Sequence, residues 1–288
     1  SIGEIFSLRK NNYDVSINVY PSNRTEYNVV NFFLGAKKRL AHDYTHTDFW
    51  RFEILNNVTV NETPNRHNVL QNFDLVKQLA PMQENEVKGL EIFLSQSDKK
   101  NSEDWLREND LQNKTLVGFH AGSAVLKNHI HKRWDKEKFV MLGRLLEEKY
   151  NAKILLFGNE FDLNLEIDEL LGGMGVLAST SNYMDSMARM RFCNLFVSND
   201  SAFLHSAAAF KIPTVGIFGY TNALELFPWG TKHLIVREDL ECSPCFYNSP
   251  KPVECTWEGK DEFKCMKMIT VEDVFEACEI LLKSKPSL

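Results

Sequence analysis

The sequence predicts an α/β protein built on a parallel β-sheet with helices over both faces. Three observations carry that expectation. Residues 195–218, LFVSNDSAFLHSAAAFKIPTVGIF, read as strand, turn, helix and strand. From residue 115 onward, short apolar runs alternate with amphipathic stretches, the pattern of repeated βαβ units. Each apolar run ends in a glycine-containing or polar turn, and in a parallel sheet such turns share one edge, where ligands bind.

The unit at 195–218 shows the logic most clearly. Leu195-Phe196-Val197-Ser198 is a short run of the kind that forms a strand buried on both faces. Asn199-Asp200-Ser201 stops it with three residue types favoured at helix N-caps. The alanine-rich stretch 202–210 follows as a helix with small side chains that let it lie close to a sheet. Lys211 suits the negative end of the helix dipole, and Pro213 bars continuation. Taken alone, Asp200 and Ser201 are explained as caps.

The other elements follow in order. Residues 13–20 alternate and stop at Pro21, as a strand does. Residues 24–34 read as a helix closed by Gly35, and 39–41 as a short strand. The stretch 45–65, polar, aromatic and broken by Pro64, reads as loop with one short strand. Val69, Leu70, Phe73, Val76 and Leu79 recur at helical spacing over 66–80, ahead of Pro81. Residues 88–94 read as a strand, and 98–113 as polar chain with a helical turn or two around Trp105-Leu106. That polar stretch marks a boundary between a first domain, 1–112, and a second, 113–288. The second holds strands at 116–119, 153–157, 175–178, 195–198, 214–218 and 234–236. Between them lie a helix at 135–150 with Asp135 as N-cap, one at 163–171 closed by Gly172-Gly173, and one at 183–191 capped by Ser181 or Asn182.

Composition narrows the function. A hydrophobic share of 43% and a charged share of 25% fit an ordinary globular protein. A net charge of −6 without a long basic run argues against nucleic acid as a partner. No apolar run approaches membrane-spanning length and no signal peptide opens the chain, so the expected localisation is cytoplasmic. The chain starts at Ser1 in mid-pattern, which implies a further N-terminal segment. Neither G-x-G-x-x-G nor G-x-x-x-x-G-K-[ST] occurs, which disfavours dinucleotide and P-loop chemistry.

The turns 120–123, 158–160, 199–201 and 219–221 are expected to line one cleft. They bring main-chain N–H donors at Gly122-Ser123 and Ser201-Ala202, the cationic segment His129-Ile130-His131-Lys132-Arg133-Trp134, and the carboxylates Glu160 and Asp200. Phosphate wants the donors and the cation; a ribose diol wants a carboxylate. The set suits a nucleoside diphosphate. Singly, each member has a plainer reading: Lys132 and Arg133 as a solvated basic turn, Trp134 as a hydrophobic staple onto Lys138 or Phe139, Glu160 as a surface acid, His205 as a core histidine.

Six stretches in this order and spacing resemble the heptosyltransferases of glycosyltransferase family 9: Phe119-His120-Ala121-Gly122-Ser123, His131-Lys132-Arg133-Trp134, Gly158-Asn159-Glu160, Ser198 through His205, Phe218-Gly219-Tyr220-Thr221, and Cys242-Ser243-Pro244-Cys245. The resemblance is closest over 115–282 and loose over 13–80. It implies a GT-B fold of two Rossmann-like domains, the N-terminal one incomplete, and transfer of a heptose or related sugar with inversion from an ADP-heptose-like donor. The acceptor would be a glycan such as the lipopolysaccharide core, or a lipid-linked one, with peripheral association at the inner membrane and no cofactor for catalysis. Ser123 and Lys132 would hold the diphosphate and Glu160 the ribose; Asp200, Ser201, Ala202 and His205 would surround sugar and phosphates, with Thr221 in the last matching turn. Ala202 stands where the family usually has Gly, and Tyr220 where it usually has Pro. The family's Gly-Asp pair, which carries the general base, has no counterpart before Tyr13, and Glu4 is not given that role. A non-catalytic nucleotide-sugar-binding partner and a nucleotide-sugar epimerase stand as alternatives.

Cys242, Cys245, Cys255 and Cys265 form C-x2-C-x9-C-x9-C, read either as a structural zinc or iron site or as free thiols. Cys193 and Cys278 sit in apolar contexts and read as core residues. His42, Asp43 and His46 form a weaker metal candidate on a stretch read as loop.

Overall fold

The computed structural model describes residues 2–22, 24–45, 52–247 and 251–283. The chain divides into two compact units, 1–88 with 246–252 and 89–245 with 253–288.

The smaller unit contains α1 (Ile2–Arg9), β1 (Val15–Ile17), α2 (Thr25–Leu34), β2 (Lys38–Asp43), β3 (Val58–Asn61) and α3 (Asn68–Val76). Its three strands are parallel in the order β1-β2-β3, with Ile17 opposite Leu40 and Leu40 opposite Val58. Leu40 and Ala41 of β2 and Phe73 and Leu75 of α3 are buried. Gly35, at φ 73°, closes α2 in the left-handed conformation that glycine adopts without penalty. The stretch read as loop at His42-Asp43 is the end of β2, and His46 lies outside the described residues. His42 is buried with Nδ1 at 3.2 Å from Val60 O and Nε2 at 3.0 Å from Gln71 O. Burial pushes its pKa down, so the neutral ring donates to one of these carbonyls.

The larger unit runs α4 (Gln96–Glu108), β4 (Leu116–His120), α5 (Lys136–Tyr150), β5 (Lys153–Leu156), α6 (Phe161–Leu170), β6 (Gly175–Leu177), α7 (Tyr183–Met190), β7 (Leu195–Asn199), α8 (Ala202–Ala209), β8 (Thr214–Ile217), α9 (Ala223–Leu226), β9 (His233–Val236), α10 (Lys264–Lys267) and α11 (Val271–Lys283). Six parallel strands lie in the order β6-β5-β4-β7-β8-β9. From β4 the chain winds outward to β6, then returns to the other side of β4 and winds outward to β9. The point where winding reverses, between β4 and β7, is the topological switch point, and open α/β sheets bind ligands at the carboxyl ends of the strands there.

Helices cover both faces. On one, Phe119 and Phe139 meet at 5.4 Å between ring centroids, and Leu142 and Leu146 of α5 are buried. On the other, Phe157 and Phe196 pack with Met187, Met190, Phe203 and Ala207 from α7 and α8. Trp134 is more than a staple: it is buried, stands edge-on to Phe139 at 5.1 Å, and donates Nε1–H to Ile269 O at 3.0 Å.

Two sequence expectations are corrected. Residues 88–94 join no sheet; Ile92 and Leu94 instead pack against the core beneath α7 and α8. The one or two turns expected around Trp105 are a helix of 13 residues, started by a capping box between Ser95 and Asp98. Trp105 and Leu106 pack on that same core, so α4 belongs to the larger unit.

Candidate functional site

A cavity of about 410 Å³ opens at the carboxyl ends of β5, β4 and β7, lined by residues that include His120, Ser123, His129, Lys132, Glu160 and Asp200. Its walls are assembled by a buried amide that the sequence offered only as a helix cap and a turn residue. Asn199, the last residue of β7, donates from Nδ2 to Ala121 O at 2.9 Å and Gly122 O at 3.2 Å. Its Oδ1 accepts the Trp134 N–H at 3.0 Å. One side chain thus pins both ends of the segment that carries Ser123, His129 and Lys132.

Lys132 Nζ lies 2.6 Å from Asp200 Oδ2, and the two side chains are only 16% and 7% exposed. Thr221 Oγ1 donates to the same oxygen at 2.9 Å, which places Thr221 behind Asp200 rather than on the cavity wall. Asp200 therefore serves as an anchor that aims an ammonium into the cavity, and the reading of Lys132 as a solvated turn fails. An ammonium has three protons, and Asp200 takes one.

Ser201 sits at the N-cap of α8 yet makes no capping bond. Its Oγ lies 2.9 Å from His120 Nδ1 and 3.0 Å from Ser198 Oγ. The capping explanation thus loses its ground, and the first amides of α8 keep the positive potential of a helix start. Ala202 and His205 line the cavity beside it. Burial lowers the pKa of His205, against the pull of Asp200, so the ring is neutral near pH 7.

Ser123 is committed within its own loop. Its Oγ donates to His129 O at 2.8 Å and accepts from Arg133 Nε at 3.2 Å. Arg133 also reaches toward Glu160, with 3.5 Å between Nη2 and Oε1. Burial opposes ionisation of Glu160, but the contact with His120, 3.6 Å away at Nε2, and the Arg133 charge outweigh it and hold the carboxyl below its ordinary range. Two glycines make room for this carboxylate. A Cβ on Gly122 would stand 2.3 Å from Glu160 Cδ, and one on Gly158, at φ +117°, would stand 2.6 Å from Glu160 Oε2. His129, with Nδ1 3.1 Å from Tyr220 Oη, has its pKa lowered to about 4 by burial and by Lys132.

Seven of the eight residues singled out from the sequence, all but Thr221, line this cavity. His120, His129 and Phe203 line it as well; the sequence placed them in stretches expected at the cleft or matching the family but gave none of them a role. The signal for His120 was present, since it ends an apolar run at the edge where turns converge.

The chain matches glycosyltransferase family 9 (heptosyltransferase) over residues 5–254. It belongs to that family. A lipooligosaccharide heptosyltransferase 2 of Campylobacter jejuni is 31% identical over 179 residues, 59% of this chain and 52% of the relative. The chain spans about half the length of the two Campylobacter relatives it matches. A solved glycosyltransferase family 9 structure from Veillonella parvula superposes with a TM-score of 0.73 at 20% identity, covering 98% of this chain and 78% of that one. Escherichia coli ADP-heptose lps heptosyltransferase II gives 0.68 at 21% identity, covering 98% and 81%. The fold is the GT-B type of these neighbours.

This family 9 chain gathers Cys242, Cys245, Cys255 and Cys265 around one small cavity with Tyr220 and Phe263. Burial, then the neighbouring thiols, pushes Cys265 up to about 11 and raises Cys245. Cys255 Sγ accepts the Phe263 N–H at 3.1 Å. Four thiols are the donor set of a tetrahedral zinc or iron site, yet among the described residues no three His, Cys, Asp or Glu side chains are grouped as ligands to one ion. The cysteine segment meets two of the stretches that frame the site: Phe263 stacks on His131 at 4.0 Å, and Cys245 N–H donates to Tyr220 O at 3.0 Å. Cys193 and Cys278 are buried in the core. Among the described residues no helix is long and apolar enough to cross a membrane.

Proposed function

We propose that this chain carries the nucleotide-sugar-binding part of a heptosyltransferase acting on the lipopolysaccharide core. The carrying observation is the Lys132–Asp200 pair beside the uncapped start of α8, at the β4/β7 switch point. A diphosphate fits there: its oxygens take the remaining Lys132 protons and the amides at Ser201-Ala202, with Ser123 alongside. Glu160 receives the ribose hydroxyls. His205 and Asp200 border the sugar. The donor is an ADP-heptose-like nucleotide sugar, in keeping with the name of the E. coli neighbour. The protein works at the cytoplasmic face of the inner membrane, where a lipid-linked acceptor glycan is presented.

The reaction is a displacement with inversion at the anomeric carbon. An acceptor hydroxyl attacks, its proton passes to a base, and the nucleoside diphosphate leaves. Negative charge grows on the leaving phosphate, and Lys132 and the α8 dipole are already aimed at it, so they stabilise the transition state more than the ground state. No residue of the chain is assigned as the base, and no step is routed through a metal. The four-cysteine segment acts as a structural brace, and its thiols suit zinc or iron. Metal analysis of protein purified without added metal tests that role: a stoichiometric ion supports a metal site, and none assigns the four as free thiols.

Calorimetry with ADP, UDP and GDP tests the main reading. ADP binding that weakens about tenfold or more in Lys132→Ala supports it, a size expected for a charge-assisted contact. Absence of ADP binding to the unaltered chain would overturn it.

A further inference from the structure

His120 ends β4, the strand flanked by β5 and β7. Its side chain is 4% exposed and its ring lies flat against Phe203, with centroids 4.5 Å apart and planes at 19°. The ring is held from one side and reaches out on the other. Nδ1 is 2.9 Å from Ser201 Oγ, on the turn after β7. Nε2 is 3.6 Å from Glu160 Oε2, on the turn after β5. Nδ1 thus faces a hydroxyl, which can either donate or accept, and a ring that carries hydrogen on Nε2 points it at the carboxylate. Gly158 is shaped around this pair: a Cβ there would fall 2.6 Å from Glu160 Oε2 and 2.8 Å from His120 Cδ2. On the opposite oxygen of Glu160 lies Arg133, 3.5 Å away. The carboxylate thus lies between two nitrogen-bearing side chains at ion-pair distance, and His120 is the one anchored in the sheet.

We propose that His120 is a positioning residue that sets Glu160 for the ribose hydroxyls and so makes the site select ribonucleoside over deoxyribonucleoside diphosphates. The inference rests on the diphosphate reading above. A carboxylate flanked at both oxygens by fixed side chains meets a vicinal diol with less loss of side-chain freedom, and a preorganised acceptor discriminates against a ligand that lacks one hydroxyl.

The test compares ADP, 2′-deoxy-ADP and inorganic pyrophosphate by calorimetry. The unaltered chain is expected to bind ADP roughly tenfold or more tightly than 2′-deoxy-ADP, the size of one hydrogen bond to a charged group. His120→Leu fills the volume without a donor, and it should bring that ratio close to one while pyrophosphate binding persists. His120→Gln keeps an N–H donor and should retain most of the ratio; it serves equally should the Leu protein fail to fold. In a Glu160→Gln background neither change should move the ratio further. A His120→Leu protein with the original ratio, or a His120→Gln protein that loses it while still binding pyrophosphate, overturns the assignment and leaves the diphosphate reading intact. Failure of the unaltered chain to bind both ADP and pyrophosphate overturns that underlying reading instead.

Discussion

The two sheets share parallel topology but are built from different materials. In the larger unit every residue of β4, β7 and β8 is buried. In the smaller unit β1 and β3 contain no fully buried residue, and only the middle of β2 does. The buried residues of α2 are Asn28 and Asn31. They join a chain of amides: Asn31 donates to Asn56 at 2.7 Å, Asn56 to Asn28 at 2.7 Å, and Asn18 to Asn28 at 2.9 Å. One unit is held by apolar burial, which is additive and tolerant of small shifts. The other relies on a polar network in which each amide depends on its neighbour.

The contrast can be broken by mutation. Phe196→Ala removes a fully buried ring that packs on Phe157 at 5.4 Å. It should cost about 3–5 kcal/mol, read as a lower unfolding midpoint in denaturant. On the functional side, Lys132→Ala should reduce transfer about a hundredfold or more, since it deletes a donor aimed at developing charge. Steady-state rates measured with saturating donor check it; normal turnover would remove Lys132 from the chemistry.

A smaller effect is expected in the amide network. Asn56→Ala leaves the buried Asn31 Nδ2 without its acceptor and should cost about 1–3 kcal/mol. Hydrogen exchange resolves where the loss falls: amides of β2 should lose protection while those of β7 keep theirs. Equal loss in both sheets would mean that the network does not govern the smaller unit alone.

The same contrast explains what was legible in the sequence. The central strands of the larger unit announce themselves because burial on both faces demands unbroken apolar runs. The amides of α2 fit no hydrophobic period, so the packing of that helix could not be read from spacing. Residues 88–94 have strand-like composition, but only partners make a strand, and Ile92 and Leu94 found a core instead. The site was legible as a set of turns. The contacts inside it were not: Asn199 spans β7 and two points 65 and 78 residues earlier, a distance only topology closes. Likewise, Glu160 meets His120 because Gly122 and Gly158 leave space, and no local pattern states which side chain will fill the gap left by a glycine.

The remaining effect concerns pH. His129 titrates at about 4 in the folded chain because burial, and then Lys132, disfavour its charged form. Its ordinary value is about 6.5. Between those values the unfolded chain binds the proton and the folded chain does not, so stability rises with pH across that window and falls as pH drops from about 6.5 toward 4. His129→Asn removes the titrating group. Denaturant midpoints measured across this range should show a shallower slope for the variant than for the unaltered chain, with the two curves converging above the window once the difference at neutral pH is subtracted. A matching slope would place the pH dependence elsewhere, and His42 or His205, both also shifted downward by burial, would be the next rings to replace. Since His42 lies in the smaller unit and His205 in the larger, that outcome would itself show which sheet yields first to acid.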